Sequence, residues 1–538
     1  MRSQDFKSET RESRLVSLVS ATLWITGGML LLRLCYLGSI ELLPEEAYYW
    51  LFSKHLALSY LDHPPMVGWI IWITTGIAGD TEFGVRLGAY ILWFVSAFFC
   101  FNLTRNLFNK AAAFASIILL SVLPFFTVAG FLMTPDTPLV ACWAGALYFL
   151  ERSLLGRQSL CWIGVGLCMG LGLLSKYTVA LLFPATLLFI LLDRQSRYWL
   201  LRQETFIAFF ISILLFLPVI VWNSEHHWIS FFFQGERRLL EEFTFNLPNL
   251  IGSVLILLTP VGAVSAFREM VSGRTEAKGM EALEMQRNLF IRIFTLTPFL
   301  VFLLFSFGRE VKLNWTGPLW LAVIPMISWK MISFSPSHDR LDKVIQKSWF
   351  PTILCLIFCY ILLLSYLAVG APWIYKIHSN SLDYMVGWKN LALQIDDIGY
   401  RVKTATGVEP FVVGMDKNKT ASELSFYRYK IKPEAAQSEA INYTVGRHIF
   451  GEDSLMFQYW APDVFDRAKK QGQVLILVSG ELPEYDSNYI SSWGWTLGNI
   501  KELCVKNGCA KSGGKYFYAL ALHKPEINGS PTLKNLIQ

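Results

Sequence analysis

Three loops of this chain set carboxylates beside prolines, and in the first of them apolar aromatic surroundings can tune a carboxylate to take a proton. The first is Pro44-Glu45-Glu46-Ala47-Tyr48-Tyr49-Trp50. Two adjacent acids among apolar rings are costly unless hydrated or paired, so Glu45 and Glu46 are candidate proton acceptors. A solvated helix start with aromatic anchors would share this sequence. The second loop, Tyr60-Leu61-Asp62-His63-Pro64-Pro65-Met66, uses its prolines to fix an extended entry into the next segment. It holds Asp62 and His63 close together, as a turn-stabilising pair also would. The third is Met133-Thr134-Pro135-Asp136-Thr137-Pro138, where Asp136 has no charged neighbour in its loop. A carboxylate at a membrane boundary is a functional candidate; before an apolar helix it is equally an N-cap.

Cations sit in loops of the same set. Lys176 lies in Leu174-Ser175-Lys176-Tyr177, and Lys312 in Lys312-Leu313-Asn314-Trp315. Between them comes Trp222-Asn223-Ser224-Glu225-His226-His227-Trp228. A cation at the outer membrane face runs against the usual charge bias, and holding a lipid-linked phosphate is one reason for it. Snorkelling to headgroups is the other.

The elements that carry these loops are apolar. The 538 residues are 53% hydrophobic and 16% charged, with a net charge of +6 and a mean hydropathy of +0.40. Charge is well below the roughly 25% of a globular domain. Basic residues fall in short clusters between apolar blocks rather than in one patch, which argues for membrane topology and against nucleic acid. Spans are expected at 15–36, 86–104, 111–130, 138–154, 160–175, 178–192, 204–222, 248–267, 289–307, 316–333 and 349–370, about eleven in all. Arg2, Lys7, Arg11 and Arg14 precede the first block and place the N-terminus in the cytoplasm. Inside loops then carry clusters such as Arg194, Arg197 and Arg202, or Arg268, Arg274, Lys278 and Arg287. The outside loops carry few, among them Lys54, Arg237 and Arg238. Met66 to Gly79 is too short to span and reads as a helix lying in the outer interface, anchored by Trp69 and Trp72.

The composition changes near residue 374. Residues 375–538 mix charges with short apolar runs, Phe411-Val412-Val413 and Val474 to Val478, and with helix-like stretches at 384–400 and 463–470. Strands alternating with helices predict a small periplasmic α/β domain behind a membrane domain of residues 1–374. Most cysteines fall in apolar blocks. Cys504 and Cys509 do not, and an oxidising compartment would let them pair.

In order and loop placement these motifs resemble the GT-C glycosyltransferases of the dolichyl-phosphate-mannose protein mannosyltransferase superfamily. The bacterial branch, which includes the lipid A aminoarabinose transferases, is the most similar. The resemblance starts at Glu45-Glu46-Ala47-Tyr48-Tyr49-Trp50 and continues through Asp62-His63-Pro64-Pro65 and Gly79 to Leu87. Thr134-Pro135-Asp136, Ser175-Lys176-Tyr177, Trp222-Asn223, Lys312 to Trp315 and Ala421 to Tyr427 extend it. It implies that Glu45 or Glu46 is the catalytic base, with Asp136 orienting acceptor or sugar. It also implies that His63, Arg86, Lys176 and Lys312 serve the donor phosphate. Tyr48, Tyr49, Asp62, Asn223 and Trp315 would contact substrate. The family usually has Asp where Glu45 stands. The aminoarabinose branch has a Lys at the position of His63 and an Arg at that of Tyr48, departures that argue against aminoarabinose as the sugar.

The activity so implied is transfer of one sugar from a polyprenyl-phosphate donor to a periplasmic hydroxyl of lipid A, lipopolysaccharide core or another glycan, with inversion, in a bacterial inner membrane. The expected partners are that donor, a lipid or glycan acceptor and membrane lipids, with no nucleic acid. No cofactor motif is present, and the acidic loops leave a divalent cation open. A transporter or flippase of a lipid-linked sugar shares the composition, but no internal repeat is evident and the carboxylates cluster at one face rather than mid-bilayer. A protein O-glycosyltransferase or an oligosaccharide-transferring enzyme would share the topology.

Overall fold

The computed structural model describes residues 2–235, 243–272, 282–333, 340–369, 386–431, 443–452, 454–462, 473–505 and 514–523, together with 466 and 468. The chain divides into two compact units. One holds Met1–Cys35, Ala57–Val67 and Arg86–Ile361; the other holds Tyr36–Leu56, Gly68–Val85 and Leu362–Gln538.

The first unit is helical because its sequence is apolar in long runs. Among the described residues six helices are long and apolar enough to cross a membrane: Leu15–Tyr36, Glu82–Leu107, Gln203–Glu225, Leu247–Val271, Ala282–Ser306 and Arg340–Val369. The chain is a multi-pass membrane protein. Of the other expected spans, 138–154 lies in one helix of 19 residues, Asp136–Leu154, and the rest are short or interrupted. In chain order the helices needed below are α1 (Arg2–Tyr36), α2 (Pro44–Lys54), α3 (Met66–Ala78), α4 (Glu82–Leu107), α5 (Lys110–Val122) and α6 (Pro124–Ala129). They continue with α7 (Asp136–Leu154), α8 (Cys161–Leu173), α9 (Leu182–Leu192), α10 (Gln203–Glu225) and α11 (Ile229–Gln234). The expected span 111–130 is thus two helices, because Pro124 lacks an N–H and holds Leu123 in an extended conformation (φ −64°, ψ 134°). The stretch 316–333 is likewise a short 3-10 turn, Pro318–Ala322, followed by the helix Ile324–Ile332.

Packing within this unit uses small residues, as membrane helices do where burial of apolar surface offers no gain over lipid. A Cβ at Gly166 would lie 2.6 Å from the Ala208 carbonyl oxygen, and one at Gly170 would lie 3.0 Å from Ser212 Cα. These two glycines, four apart on α8, let α10 come close enough for Ser212 Oγ to donate to the Gly166 carbonyl at 3.1 Å. Trp143, Trp162, Phe189 and Phe290 fill the interior.

The second unit joins the first acidic loop to the C-terminal residues. Its sheet has the order β2-β1-β3-β6-β4, with β5 also on β6. Here β1 is Phe411–Gly414, β2 Tyr443–Val445, β3 Val474–Ser479, β4 Trp495–Leu497, β5 Lys501–Cys504 and β6 Lys515–His523. β1 runs parallel to both neighbours, with Val412 opposite Tyr443 and Ile476; β6 is antiparallel to β3. Both apolar runs read from the sequence are strands, and β1 and β3 are buried along their whole length, as strands covered on both faces must be. The expected helix at 384–400 appears as Trp388–Thr406. Most of the expected helix 463–470 lies outside the described residues, as do Arg237, Arg238, Arg274 and Lys278.

Helix α3, at 13 residues, rises about 20 Å, short of the roughly 30 Å of a hydrocarbon core. Trp72, Ile73 and Ile77 form an exposed apolar face on it, as the interfacial reading requires.

Candidate functional site

In the membrane unit the site is built around Asp136, the first residue of α7. Lys176 Nζ donates to Asp136 Oδ1 at 2.7 Å, and Asn314 Nδ2 donates to Oδ2. The two charged side chains are 12% and 9% exposed, so both sit where water screens them weakly. Neighbouring backbone contacts fix the geometry. Ser175 Oγ donates to the Pro135 carbonyl at 3.1 Å, and the Met66 N–H donates to the Leu174 carbonyl at 3.0 Å. The loops around 66, 135 and 175, far apart in sequence, are therefore tied into one cluster.

The other expected residues of this unit fall around that cluster in different ways. The Asp62 carbonyl accepts from Gln234 Nε2 at the end of α11, while the Asp62 side chain is largely buried. His63 is half-buried, and its carbonyl accepts from the Tyr60 N–H at 3.2 Å, closing the turn before Pro64. Arg86 is fully buried, with its guanidinium 5.1 Å from the Phe131 ring centroid. Asn223 is fully buried, and its amide is taken up by the turn between α10 and α11. Nδ2 donates to the Val219 carbonyl, and Oδ1 accepts from the Ser230 N–H. That turn forces His227 (φ 55°) and Trp228 (φ 60°) into left-handed backbone, which non-glycine residues rarely adopt. Tyr177, beside Lys176, hydrogen-bonds Ser230 at 3.0 Å. Lys312 is exposed, and Trp315 packs on Phe302 and Phe305.

In the second unit, α2 carries the acidic pair and gives its members different environments. Pro44 opens the helix at the one position where a missing N–H costs nothing. Glu46, at the third helical position, turns back and accepts from the Leu43 N–H at 3.1 Å, the acidic half of a capping box. It is fully buried. Glu45 is exposed. Trp50 Nε1 and Lys54 both bind Asp80, at 2.7 and 2.8 Å, and Trp50 packs on Phe426 and Tyr429 of the helix Lys419–Ile431. Tyr48, Phe52 and His55 follow one helical face and meet Trp460, with ring centroids 5.8, 5.8 and 5.1 Å away. Burial against that indole pushes the His55 imidazole down to about 4. Tyr49 is buried and packs edge-on against Phe52.

Two participants were not singled out from the sequence. Asn314 lies within the Lys312 to Trp315 motif, whose spacing does not fix which of its residues turns inward. Glu41 accepts backbone N–H bonds from Gly387, Trp388 and Lys389 at 2.6, 2.8 and 3.2 Å, so it occupies the positive end of the helix Trp388–Thr406. Its carboxyl is nevertheless raised above the usual range, because burial outweighs those bonds. Among the described residues no group of three or more His, Cys, Asp or Glu could hold a metal ion. Cys504 ends β5 with an exposed thiol; Cys509 lies outside the described residues.

The sequence profile of the family described as dolichyl-phosphate-mannose-protein mannosyltransferase matches residues 62–222. The lipid A galacturonosyltransferase RgtD of Rhizobium johnstonii is 27% identical over 189 residues, 34% of this chain and 38% of that protein. An undecaprenyl phosphate-alpha-4-amino-4-deoxy-L-arabinose arabinosyl transferase of Photorhabdus laumondii is 24% identical over 243 residues, 41% of this chain and 44% of that protein. The matched stretch thus spans less than half the length of either relative. Among solved structures, apo ArnT from Cupriavidus metallidurans superposes with a TM-score of 0.60 at 14% identity, covering 93% of this chain and 98% of that one. The same enzyme bound to undecaprenyl phosphate gives 0.59. The family read from the loop motifs is the one these comparisons find: residues 62–222 carry the dolichyl-phosphate-mannose-protein mannosyltransferase signature, set in a fold shared with ArnT.

Proposed function

We propose that the protein transfers a single sugar from a polyprenyl-phosphate donor to a hydroxyl of lipid A or lipopolysaccharide core. The observation that carries the reading is the split within the acidic pair: Glu46 is buried as a helix cap, while Glu45 stays exposed on the same rigid turn. Glu45 is then the base. Its carboxylate takes the acceptor proton as the hydroxyl oxygen bonds to the anomeric carbon from the side opposite the phosphate. The bond from that carbon to the phosphate oxygen breaks, and the configuration inverts. The polyprenyl phosphate leaves as a stable anion that needs no general acid, so one carboxylate suffices where a glycosidase uses two. Lys176 supplies positive charge toward the donor phosphate, and Asp136 holds Lys176 and Asn314 in place for it. Arg86, His63 and Lys312 are further candidates for that phosphate. Tyr48, Tyr49, Asp62 and Trp315 are candidates for sugar or acceptor.

Relatives named as lipid A and lipopolysaccharide core transferases, and an ArnT structure with undecaprenyl phosphate bound, support donor and acceptor class. The same reading places the protein in a bacterial inner membrane, with its N-terminus cytoplasmic, residues 1–374 as the membrane domain and 375–538 in the periplasm.

The test is transfer by the purified protein in vesicles, using radiolabelled polyprenyl-phosphate sugars and lipid A as acceptor. Label should move covalently to the acceptor, and Glu45→Gln should abolish that movement. Transfer at the wild-type rate by Glu45→Gln removes the base assignment; sugar crossing the vesicle without transfer removes the enzyme reading.

A further inference from the structure

Arg33 is a cation that neither the site nor the motifs account for. It lies in the last turn of α1, is 1% exposed, and forms no ion pair with a carboxylate among the described residues, while the rings of Tyr360 and Tyr90 lie near it. Its Nε and Nη1 have no hydrogen-bond partner among the described residues. A buried charge within a membrane helix is costly enough to need a reason.

The reason lies where α5 breaks at Pro124. A helix that stops leaves its last carbonyls without helical donors, and three of them here are met by side chains from elsewhere. The Leu120 carbonyl accepts from Trp93 Nε1 at 3.4 Å. The Ser121 carbonyl accepts from Arg33 Nη2 at 2.7 Å and from Thr127 Oγ1 at 2.9 Å. The Val122 carbonyl accepts from Tyr360 Oη at 2.7 Å. The guanidinium therefore faces the negative end of α5 and lies 5.2 Å from the centroid of the Trp93 ring. It also touches the other end of α6. A Cβ on Gly130, which follows α6, would lie 2.8 Å from Arg33 Nη1 and 2.6 Å from Trp93 Cδ1. Arg33 thus grips the entry and the exit of α6 together.

What α6 carries is the approach to Asp136. A Cβ on Gly317 would come within 2.1 Å of the Phe125 ring, so α6 packs directly on the turn whose Gly317 N–H bonds the Asn314 carbonyl. Downstream of Gly130, Thr137 Oγ1 donates to the Leu132 carbonyl at 2.8 Å and closes the loop that delivers Asp136. We propose that Arg33 is a positioning residue, fixing the broken helix α5–α6 so that Asp136 and Asn314 meet. This rests on the reading of Asp136 as part of a transferase site.

The test compares Arg33→Met, Arg33→Lys and Tyr360→Phe, each as full-length protein in vesicles, by steady-state transfer and by hydrogen exchange read by mass spectrometry. Arg33→Met should lower kcat by about 10-fold to 100-fold, the cost of roughly 1 Å of misplacement, with donor KM little changed. Exchange should rise in 123–136 and stay unchanged in α8 and α10. Arg33→Lys, which keeps a cation for the Ser121 carbonyl, should restore most of the rate. Tyr360→Phe should give a milder version of both effects and serves if Arg33→Met does not fold. Unchanged exchange in 123–136, an unchanged kcat, or a lysine variant as impaired as the methionine one each overturns the proposal. If wild-type protein transfers no sugar, the functional reading fails, while the exchange data still decide whether Arg33 holds this segment.

Discussion

Lys176 Nζ stands 2.7 Å from Asp136 Oδ1, and neither side chain is more than 12% exposed. An ion pair this sheltered is asymmetric in its energetics. Removing one partner strands the other charge, at a cost of about 3 kcal/mol, whereas removing both costs far less. Lys176→Met and Asp136→Asn should each lower the unfolding midpoint in detergent, and the double variant should be more stable than the sum predicts. Additive effects would mean that the pair is not coupled.

Glu45 and Glu46 are adjacent but should respond differently to the same substitution. Glu46→Gln weakens a cap and should cost about 1 kcal/mol of stability while leaving measurable transfer. Glu45→Gln should leave the melting midpoint unchanged. Stability and activity measured together on both variants check the assignment; equal stability loss in the two would contradict the cap.

His55 gives a pH dependence whose sign follows from its burial. Its folded pKa is depressed from 6.5 to about 4, so between those values the unfolded chain binds a proton that the folded chain does not. Stability is then highest near neutrality and falls as pH drops through that window, by up to roughly 3 kcal/mol. His55→Phe, which keeps a ring against Trp460 but cannot titrate, should flatten the fall between pH 6.5 and pH 4. Chemical denaturation across that range measures it, and an unaltered slope in the variant would assign the dependence elsewhere.

Gly317 offers a steric test. Its place against the Phe125 ring leaves no room for a methyl group, so Gly317→Ala should cost about 1 to 3 kcal/mol as an overpacked contact does. A companion Phe125→Leu change, which shortens the ring, should recover part of that loss. Thermal unfolding of the single and double variants reads both.

Much of this was legible in the residues themselves. Apolar runs set the long helices, since only a helix satisfies its own backbone in lipid; the alternation of apolar runs and charged stretches set the α/β character of 375–538. Pro64-Pro65 mark the extended entry into the helix Met66–Ala78. Pro124 was passed over because its flanks are apolar enough to read as one span, and hydropathy does not register a lost N–H. The roles within the acidic pair were also beyond reach: Glu45 and Glu46 are the same residue type, and only the helix phase decides which one turns back to Leu43.

The sequence by itself determined which segments are apolar enough to enter a membrane, where acids and cations interrupt them, and the family motifs those interruptions form. Only the tertiary structure decided that Asp136 pairs with Lys176 and Asn314, and that Arg33 serves the carbonyl end of a broken helix. Hydropathy and spacing are local properties of the chain, whereas a partner for a buried charge comes from whichever distant segment packing brings within about 3 Å.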